Sequence, residues 1–115
     1  MNNETKTNGL STFNKDNILK QIKQIKPKYE KEGLIILGLF GSYAREDADV
    51  FSDIDIAYKI DHNKFFKDNA FKKLIRLEEI KKELESNLHK KVDIISLNSS
   101  NQRLNRSIKR EMILI

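Results

Sequence analysis

The sequence contains no cysteine and no apolar run long enough to cross a bilayer. The absence of cysteine excludes disulfide bonds and thiolate metal sites, and it is compatible with a reducing cytosol. The longest apolar stretch, Leu34–Phe40, is far shorter than the roughly 20 residues that a membrane helix needs. Residues 1–17 are polar and lack the apolar centre of a secretory signal. We therefore expect a soluble, cytoplasmic protein.

The sequence also lacks a dense block of basic residues, although its formal net charge is +5. A basic surface can bind nucleic acids or other polyanions. Here the lysines are scattered among glutamates, and no strand pattern alternates basic with aromatic residues. We therefore do not expect nucleic acid to be the partner.

The 115 residues are enough for one compact domain. Residues 1–13 are predicted to be a flexible lead, because they have few apolar side chains to offset the entropy of ordering. Residues 14–115 are predicted to form the domain. Its patterns give, in order, a helix from residue 15, a strand at 34–40, a short helix after 41, a strand at 53–58, a helix at 63–88, a strand at 91–97, a helix at 99–110 and a strand at 112–115.

This alternation predicts an α/β (α+β) fold in which helices pack on a small mixed sheet. Pro27 is expected to kink the first helix or to split it into two pieces. The long helix is expected to bury one apolar stripe against the sheet. That stripe comprises Phe66, Ala70, Leu74, Leu77, Leu84 and Leu88.

Asp53 and Asp55 are two residues apart on a predicted strand, so their side chains point to the same side. Two such carboxylates repel each other unless a cation lies between them, and oxygen-only ligation suits Mg²⁺. Asp93 lies between two aliphatic residues of another predicted strand, where a charge needs a metal, a partner or solvent. If the two strands pair, all three acids can share one patch.

Gly41 and Ser42 lie where a strand turns into a short helix. Free backbone N–H groups at such a turn bind anions, and glycine allows a phosphate to approach the backbone closely. The hydroxyl of Ser42 can donate to a phosphate, or it can cap the helix. Arg45 can add positive charge near a triphosphate, or it can form a surface ion pair with Asp47 or Asp49. A phosphate cradle beside paired acids provides the groups needed for metal-assisted nucleotidyl transfer.

These motifs resemble the signature of the DNA-polymerase-β-like nucleotidyltransferase superfamily, and the short chain resembles its minimal nucleotidyltransferase (MNT) group. The resemblance is carried by Gly-Ser-Tyr-Ala-Arg at residues 41–45, Ser-Asp-Ile-Asp-Ile at 52–56 and Val-Asp-Ile at 92–94. It extends over residues 15–115, and the combination of motifs is specific where either half alone would be weak.

The resemblance implies a catalytic site in which Gly41 and Ser42 hold the triphosphate of ATP and Asp53 and Asp55 bind two Mg²⁺ ions. Asp93 would complete the metal site and help to deprotonate the acceptor. Minimal members resemble the antitoxin of a toxin–antitoxin pair whose partner is a HEPN-domain ribonuclease. They transfer AMP from ATP to a tyrosine of that toxin, so a hetero-oligomer is expected here.

One residue departs from the family pattern, because Glu46 occupies a position where the family usually has glycine. If that position requires a positive φ, glutamate costs roughly 1 kcal/mol or more, and its charge would lie near the phosphates. Two alternatives stay open from sequence. One is an antibiotic nucleotidyltransferase that acts on a small molecule as a homodimer, and the other is a non-catalytic antitoxin that acts by binding alone.

Overall fold

The computed structural model describes residues 14–97 and 102–115, so the predicted N-terminal lead, residues 1–13, lies outside the described residues. None of the helices in these two ranges combines the length and apolarity needed to cross a membrane. The elements, in chain order, are α1 (Lys15–Glu30), β1 (Leu34–Phe40), α2 (Ser42–Arg45), β2 (Ile54–Ile60), α3 (Ala70–Leu88), β3 (Val92–Ser96), α4 (Gln102–Glu111) and β4 (Ile113–Leu114).

Four strands form one mixed sheet in the order β3-β2-β1-β4, which confirms the predicted fold class. β1 pairs antiparallel with both β2 and β4. β2 and β3 are parallel and are connected through α3, as a parallel pair requires a crossover. The two strands that carry the predicted acidic residues are therefore neighbours at one side of the sheet.

The core lies between one face of the sheet and helices α1 and α3. Alternation along β2 directs Ile54, Ile56 and Tyr58 into this core, which leaves Asp55 on the opposite face. The buried cluster is formed mainly by Ile18, Ile22, Tyr29, Leu34, Ile36, Leu39, Ile54, Ile56, Tyr58, Ile80, Leu84 and Leu88.

Of the two effects expected of Pro27, the splitting of the first helix does not occur, because α1 runs without a break from Lys15 to Glu30. Pro27 lies in the last turn, where only one intrahelical hydrogen bond is lost through its missing N–H. Its carbonyl still accepts a hydrogen bond from the backbone N–H of Lys31 at 3.2 Å.

The long helix begins at residue 70, seven residues later than predicted. The side chain of Asn69 caps it by accepting from the backbone N–H of Lys72 at 2.9 Å. Phe66 and Asp68 have φ values of 48° and 61°, which a helix cannot contain.

The predicted apolar stripe of this helix was correct only in its C-terminal half. Leu84 and Leu88 are buried and Leu77 packs against the core, whereas Leu74 and Phe66 are exposed. Ile80, absent from the predicted stripe, is fully buried. The late start of the helix explains the error at Phe66, which lies in a segment that is not helical, whereas Leu74 is exposed although it lies within α3.

Candidate functional site

Asp55 and Asp93 are direct neighbours in the parallel register of β2 and β3. Paired residues of adjacent strands direct their side chains to the same face of the sheet. Asp53 comes just before β2, two residues from Asp55, and its charge acts on the Asp55 carboxyl group. The pairing of these strands, which the sequence left open, is present, and the structure brings the three acids to one patch.

The glycine turn lies against this acidic patch. Phe40, the last residue of β1, pairs with Asp55 across the sheet. Gly41 follows with φ 77° and ψ −155°, a conformation that only glycine adopts readily. A Cβ atom at Gly41 would collide with the carboxylate of Asp55. The glycine turn and the acidic patch are therefore in contact. Position 41 must be glycine because of its backbone conformation and because a Cβ atom would meet Asp55.

Gly41, rather than Ser42, occupies the N-cap position of α2. Ser42 is the first helical residue, so its hydroxyl is not the cap that one interpretation of the sequence suggested. α2 has only four residues, and a helix this short has a small macrodipole. Phosphate binding at this turn would therefore rest on the backbone N–H groups of the first turn and on the Ser42 hydroxyl.

Arg45 is paired with two acids, at the exposed end of α2. Its Nε donates to Asp47 Oδ2 at 3.1 Å, and its Nη1 donates to Glu111 Oε1 at 2.7 Å. The positive charge of Arg45 also acts to lower the pKa of Asp55, against the larger effects that raise it. The ion pair with Asp47 was one of the alternatives from sequence. Glu111, at the end of α4, had no sequence signal, because its contact with Arg45 depends on how α4 folds back over the sheet.

The Asp55 carboxyl group has a raised pKa of about 6. Its desolvation by burial is the largest cause, followed by the charges of Asp93 and Asp53. Each of these effects penalises the ionised carboxylate. A cation bound among the three acids would remove this penalty, because it would neutralise their mutual repulsion.

We predict that Asp55→Asn stabilises the ligand-free protein at neutral pH. Because the folded-state pKa is raised from 3.8 to about 6, the folded state holds a proton more tightly than the unfolded state over that interval. The free energy of unfolding therefore falls as pH rises from 4 to 6. The asparagine variant avoids this loss of unfolding free energy. After allowance for solvent screening of this half-buried group, the loss is on the order of 1–2 kcal/mol.

Urea denaturation of both proteins at pH 4, 5, 6 and 7 would measure this effect. We expect the two proteins to have similar stabilities at pH 4 and to diverge as pH rises, with the asparagine variant more stable. Parallel profiles across this range would contradict the raised pKa.

The donor set fits Mg²⁺, although the site is not a preformed metal cage. No group of three or more His, Cys, Asp or Glu side chains in residues 14–97 and 102–115 is arranged to hold an ion by itself. Mg²⁺ is usually held by one or two carboxylates, together with water and substrate phosphates. Asp53, Asp55 and Asp93 would supply the carboxylates, and the adjacent glycine turn lies against Asp55. Metal and nucleotide are therefore expected to bind together.

Glu46 has a left-handed backbone, with φ 64° and ψ 30°, at the end of α2. This is the positive φ that was suspected from sequence at a position where the resemblance implies glycine. Its backbone N–H bonds to the carbonyl of Tyr43 at 3.3 Å. Its carboxylate lies 3.7 Å from Lys15 Nζ in a largely exposed pair that contributes little.

We predict that Glu46→Gly raises the free energy of unfolding by up to about 1 kcal/mol. Glycine removes the left-handed strain, while its greater freedom in the unfolded chain offsets part of the gain. Glu46→Ala is the matched control, because it removes the charge and keeps the strain. A gain with alanine equal to that with glycine would assign the effect to charge instead.

The sequence matches the polymerase beta, nucleotidyltransferase family over residues 20–115. The chain belongs to this family. Two Methanocaldococcus jannaschii proteins, each named "Putative protein adenylyltransferase", are 37% and 38% identical to it over 102 residues. Each alignment covers 88% of this chain and 93% of the relative.

Solved structures agree with this family assignment. A structure described as "putative minimal nucleotidyltransferase" has a TM-score of 0.69 at 24% identity, over 89% of this chain and 96% of that chain, and this likeness shows the fold. A toxin–antitoxin structure with AMP-PNP has a TM-score of 0.56 at 27% identity, over 88% of this chain and 71% of that chain. The nucleotidyltransferase fold expected from the motifs is therefore confirmed.

Proposed function

We propose that this nucleotidyltransferase transfers AMP from ATP to a tyrosine hydroxyl of a partner protein, and that this partner is a HEPN toxin which the modification silences. The observation that carries the proposal is the pairing of Asp55 with Asp93, beside Asp53 and against Gly41. This patch combines acids for metal ions with a turn for phosphates. Two-metal nucleotidyl transfer needs both.

In the proposed reaction, the acceptor hydroxyl oxygen forms a bond to the α-phosphorus of ATP. The bond from that phosphorus to the oxygen bridging the α- and β-phosphates breaks, and pyrophosphate leaves with the electron pair. Asp93, exposed at the edge strand, accepts or relays the hydroxyl proton. Gly41 and Ser42 bind the phosphates through backbone N–H groups and the serine hydroxyl. Mg²⁺, when held by Asp53, Asp55 and Asp93, would supply charge neutralisation for the phosphates.

The relatives support both the nucleotide and the class of acceptor. The M. jannaschii proteins are named as protein adenylyltransferases. The toxin–antitoxin structure contains AMP-PNP, an ATP analogue. We infer from these names that ATP is the donor and that a toxin protein is the acceptor, in a complex of two different chains.

Incubation of the purified protein with Mg²⁺ and the product of the adjacent open reading frame tests this proposal. ATP labelled at the α-phosphate should label the partner, and ATP labelled at the γ-phosphate should not. Chelation of the metal should abolish the label, and mass spectrometry should locate AMP on a tyrosine. Labelling from the γ-phosphate, or of an added aminoglycoside in place of protein, would overturn the proposed acceptor and reaction.

A further inference from the structure

The guanidinium group of Arg45 is held between two carboxylates. Its Nε donates to Asp47 Oδ2 at 3.1 Å, and its Nη1 donates to Glu111 Oε1 at 2.7 Å. Arginine has five side-chain N–H donors, so three remain, including both on Nη2. Within residues 14–97 and 102–115, none of these three donates a hydrogen bond. Arg45 can therefore bind an anion without losing either carboxylate.

Both carboxylates belong to segments that meet at the glycine turn. The backbone N–H of Asp47 donates to the carbonyl of Ser42 at 3.0 Å, next to Gly41. Glu111 ends α4, two residues before β4, and β4 pairs antiparallel with β1. Because β1 ends one residue before Gly41, Gly41 and Glu111 lie at the same end of this strand pair.

Packing fixes the backbone at Glu111, although its side chain is partly exposed. Ile108, on the same helix, is buried, and its carbonyl accepts a hydrogen bond from the backbone N–H of Met112 at 2.8 Å. A Cβ atom at Gly38 would collide with the Met112 side chain, so the end of α4 lies directly against β1. The Glu111 carboxylate therefore extends toward Arg45 from a fixed position.

Folding stability alone does not account for this arrangement. The side chains of Arg45, Asp47 and Glu111 are 49%, 59% and 40% exposed, and ion pairs this exposed contribute little to folding. A free arginine side chain loses rotamer entropy when it binds a phosphate. Two carboxylates that hold it beforehand reduce this loss at the binding step. The charge of Arg45 also acts on the pKa of Asp55, so its field reaches the acidic patch.

We propose that Glu111, together with Asp47, is a positioning residue that holds the Arg45 guanidinium beside the glycine turn, where its free N–H groups bind the triphosphate of ATP. This inference rests on the proposed nucleotidyl transfer. It gives a part in that reaction to α4, which carries neither the acids nor the glycine turn. By charge alone, removal of a carboxylate near a bound anion should tighten binding. The positioning role predicts weaker binding, so the direction of the change separates the two effects.

The test is calorimetric titration with AMP-PNP and Mg²⁺, at a temperature where every variant is folded. We expect Kd to weaken about tenfold or more for Arg45→Ala and about three- to tenfold for Glu111→Ala. In the Arg45→Ala background, Glu111→Ala should cause no further change, because Glu111 acts only through Arg45. Glu111→Gln keeps an acceptor oxygen without the charge, so its Kd should lie between those of Glu111→Ala and the unsubstituted protein.

Glu30→Gln is the matched control, because it removes a carboxylate of similar exposure from an ion pair outside the site. Glu30 is 48% exposed and pairs with Lys26 on α1. Its Kd for AMP-PNP should equal that of the unsubstituted protein.

Equal Kd values for Glu111→Ala and the Glu30→Gln control would overturn the positioning role. A tighter Kd for Glu111→Ala would also overturn it, because Glu111 would then compete with phosphate for Arg45. If the unsubstituted protein binds no AMP-PNP, the nucleotide site and this inference fail together. If it binds AMP-PNP but transfers no AMP to the product of the adjacent open reading frame, only the proposed transfer fails. The series of Kd values then still decides the role of Glu111.

Discussion

Asp53→Asn is expected to lower the rate of AMP transfer by about a thousandfold or more. The amide keeps the shape of the side chain but removes the negative charge that would hold Mg²⁺ in the proposed reaction. Stabilisation by a metal ion is worth several kcal/mol in a phosphoryl or nucleotidyl transition state, and about 4 kcal/mol corresponds to a thousandfold. Asp53 is exposed next to β2, so the substitution leaves the buried core intact. Transfer from labelled ATP under single-turnover conditions would measure the loss.

Asp68→Asn is a suitable control, because it removes a carboxylate beyond the opposite end of β2 from the acidic patch. Asp68 has φ 61°, and asparagine tolerates this conformation well. Its transfer rate should match that of the unsubstituted protein. The same pair of variants separates catalysis from binding. If Asp53→Asn still neutralises the proposed partner toxin fully in cells, the protein acts by binding alone and the catalytic proposal is wrong.

Gly41→Ala is expected to reduce both stability and nucleotide binding. Alanine at φ 77° and ψ −155° costs about 1–3 kcal/mol in backbone strain. Its Cβ would also collide with the Asp55 carboxylate, so either the turn or the acid must move. We therefore expect a decrease in melting temperature of about 4–12 °C for a chain of this size. The thermal shift with Mg²⁺ and ATP should be lost even at temperatures where the variant is folded.

Gly33→Ala provides the control for strain without damage to the site. Gly33 has φ 101° and precedes β1, whereas Gly41 follows the other end of that strand. Its substitution should also lower stability, because the added Cβ would lie 2.7 Å from Lys64 Cβ. The thermal shift with Mg²⁺ and ATP should be retained. If both alanine variants kept this response, close packing of the glycine turn on Asp55 would not matter for binding.

Several features of the site could be predicted because they depend on neighbouring residues in sequence. The two-residue spacing of Asp53 and Asp55 places them on one side, since side chains alternate along extended chain. Gly41 after an apolar strand indicated a tight turn into a short helix, and the structure has this turn. The sequence also gave a reason to suspect positive φ at position 46, and the structure has φ 64° there.

The errors arose where a local pattern was compatible with more than one structure. Apolar spacing in residues 63–69 fits a helix, yet Phe66 and Asp68 adopt positive φ and Asn69 starts the helix later. Pro27 can disrupt a helix, but near a C-terminal end it costs only one hydrogen bond. Periodicity alone does not contain the information that decides either case.

The amino-acid sequence by itself determined the mixed α/β class, the faces of the strands and the identity of the acids, because these follow from local periodicity and residue chemistry. The tertiary structure alone decided that Asp93 pairs with Asp55, that Gly41 packs on the same carboxylate and that Glu111 engages Arg45. Strand alternation fixes the side to which a residue points but not which strand lies next to it. Register between distant segments is set by the burial of the whole sheet and its helices, and only the folded chain specifies it.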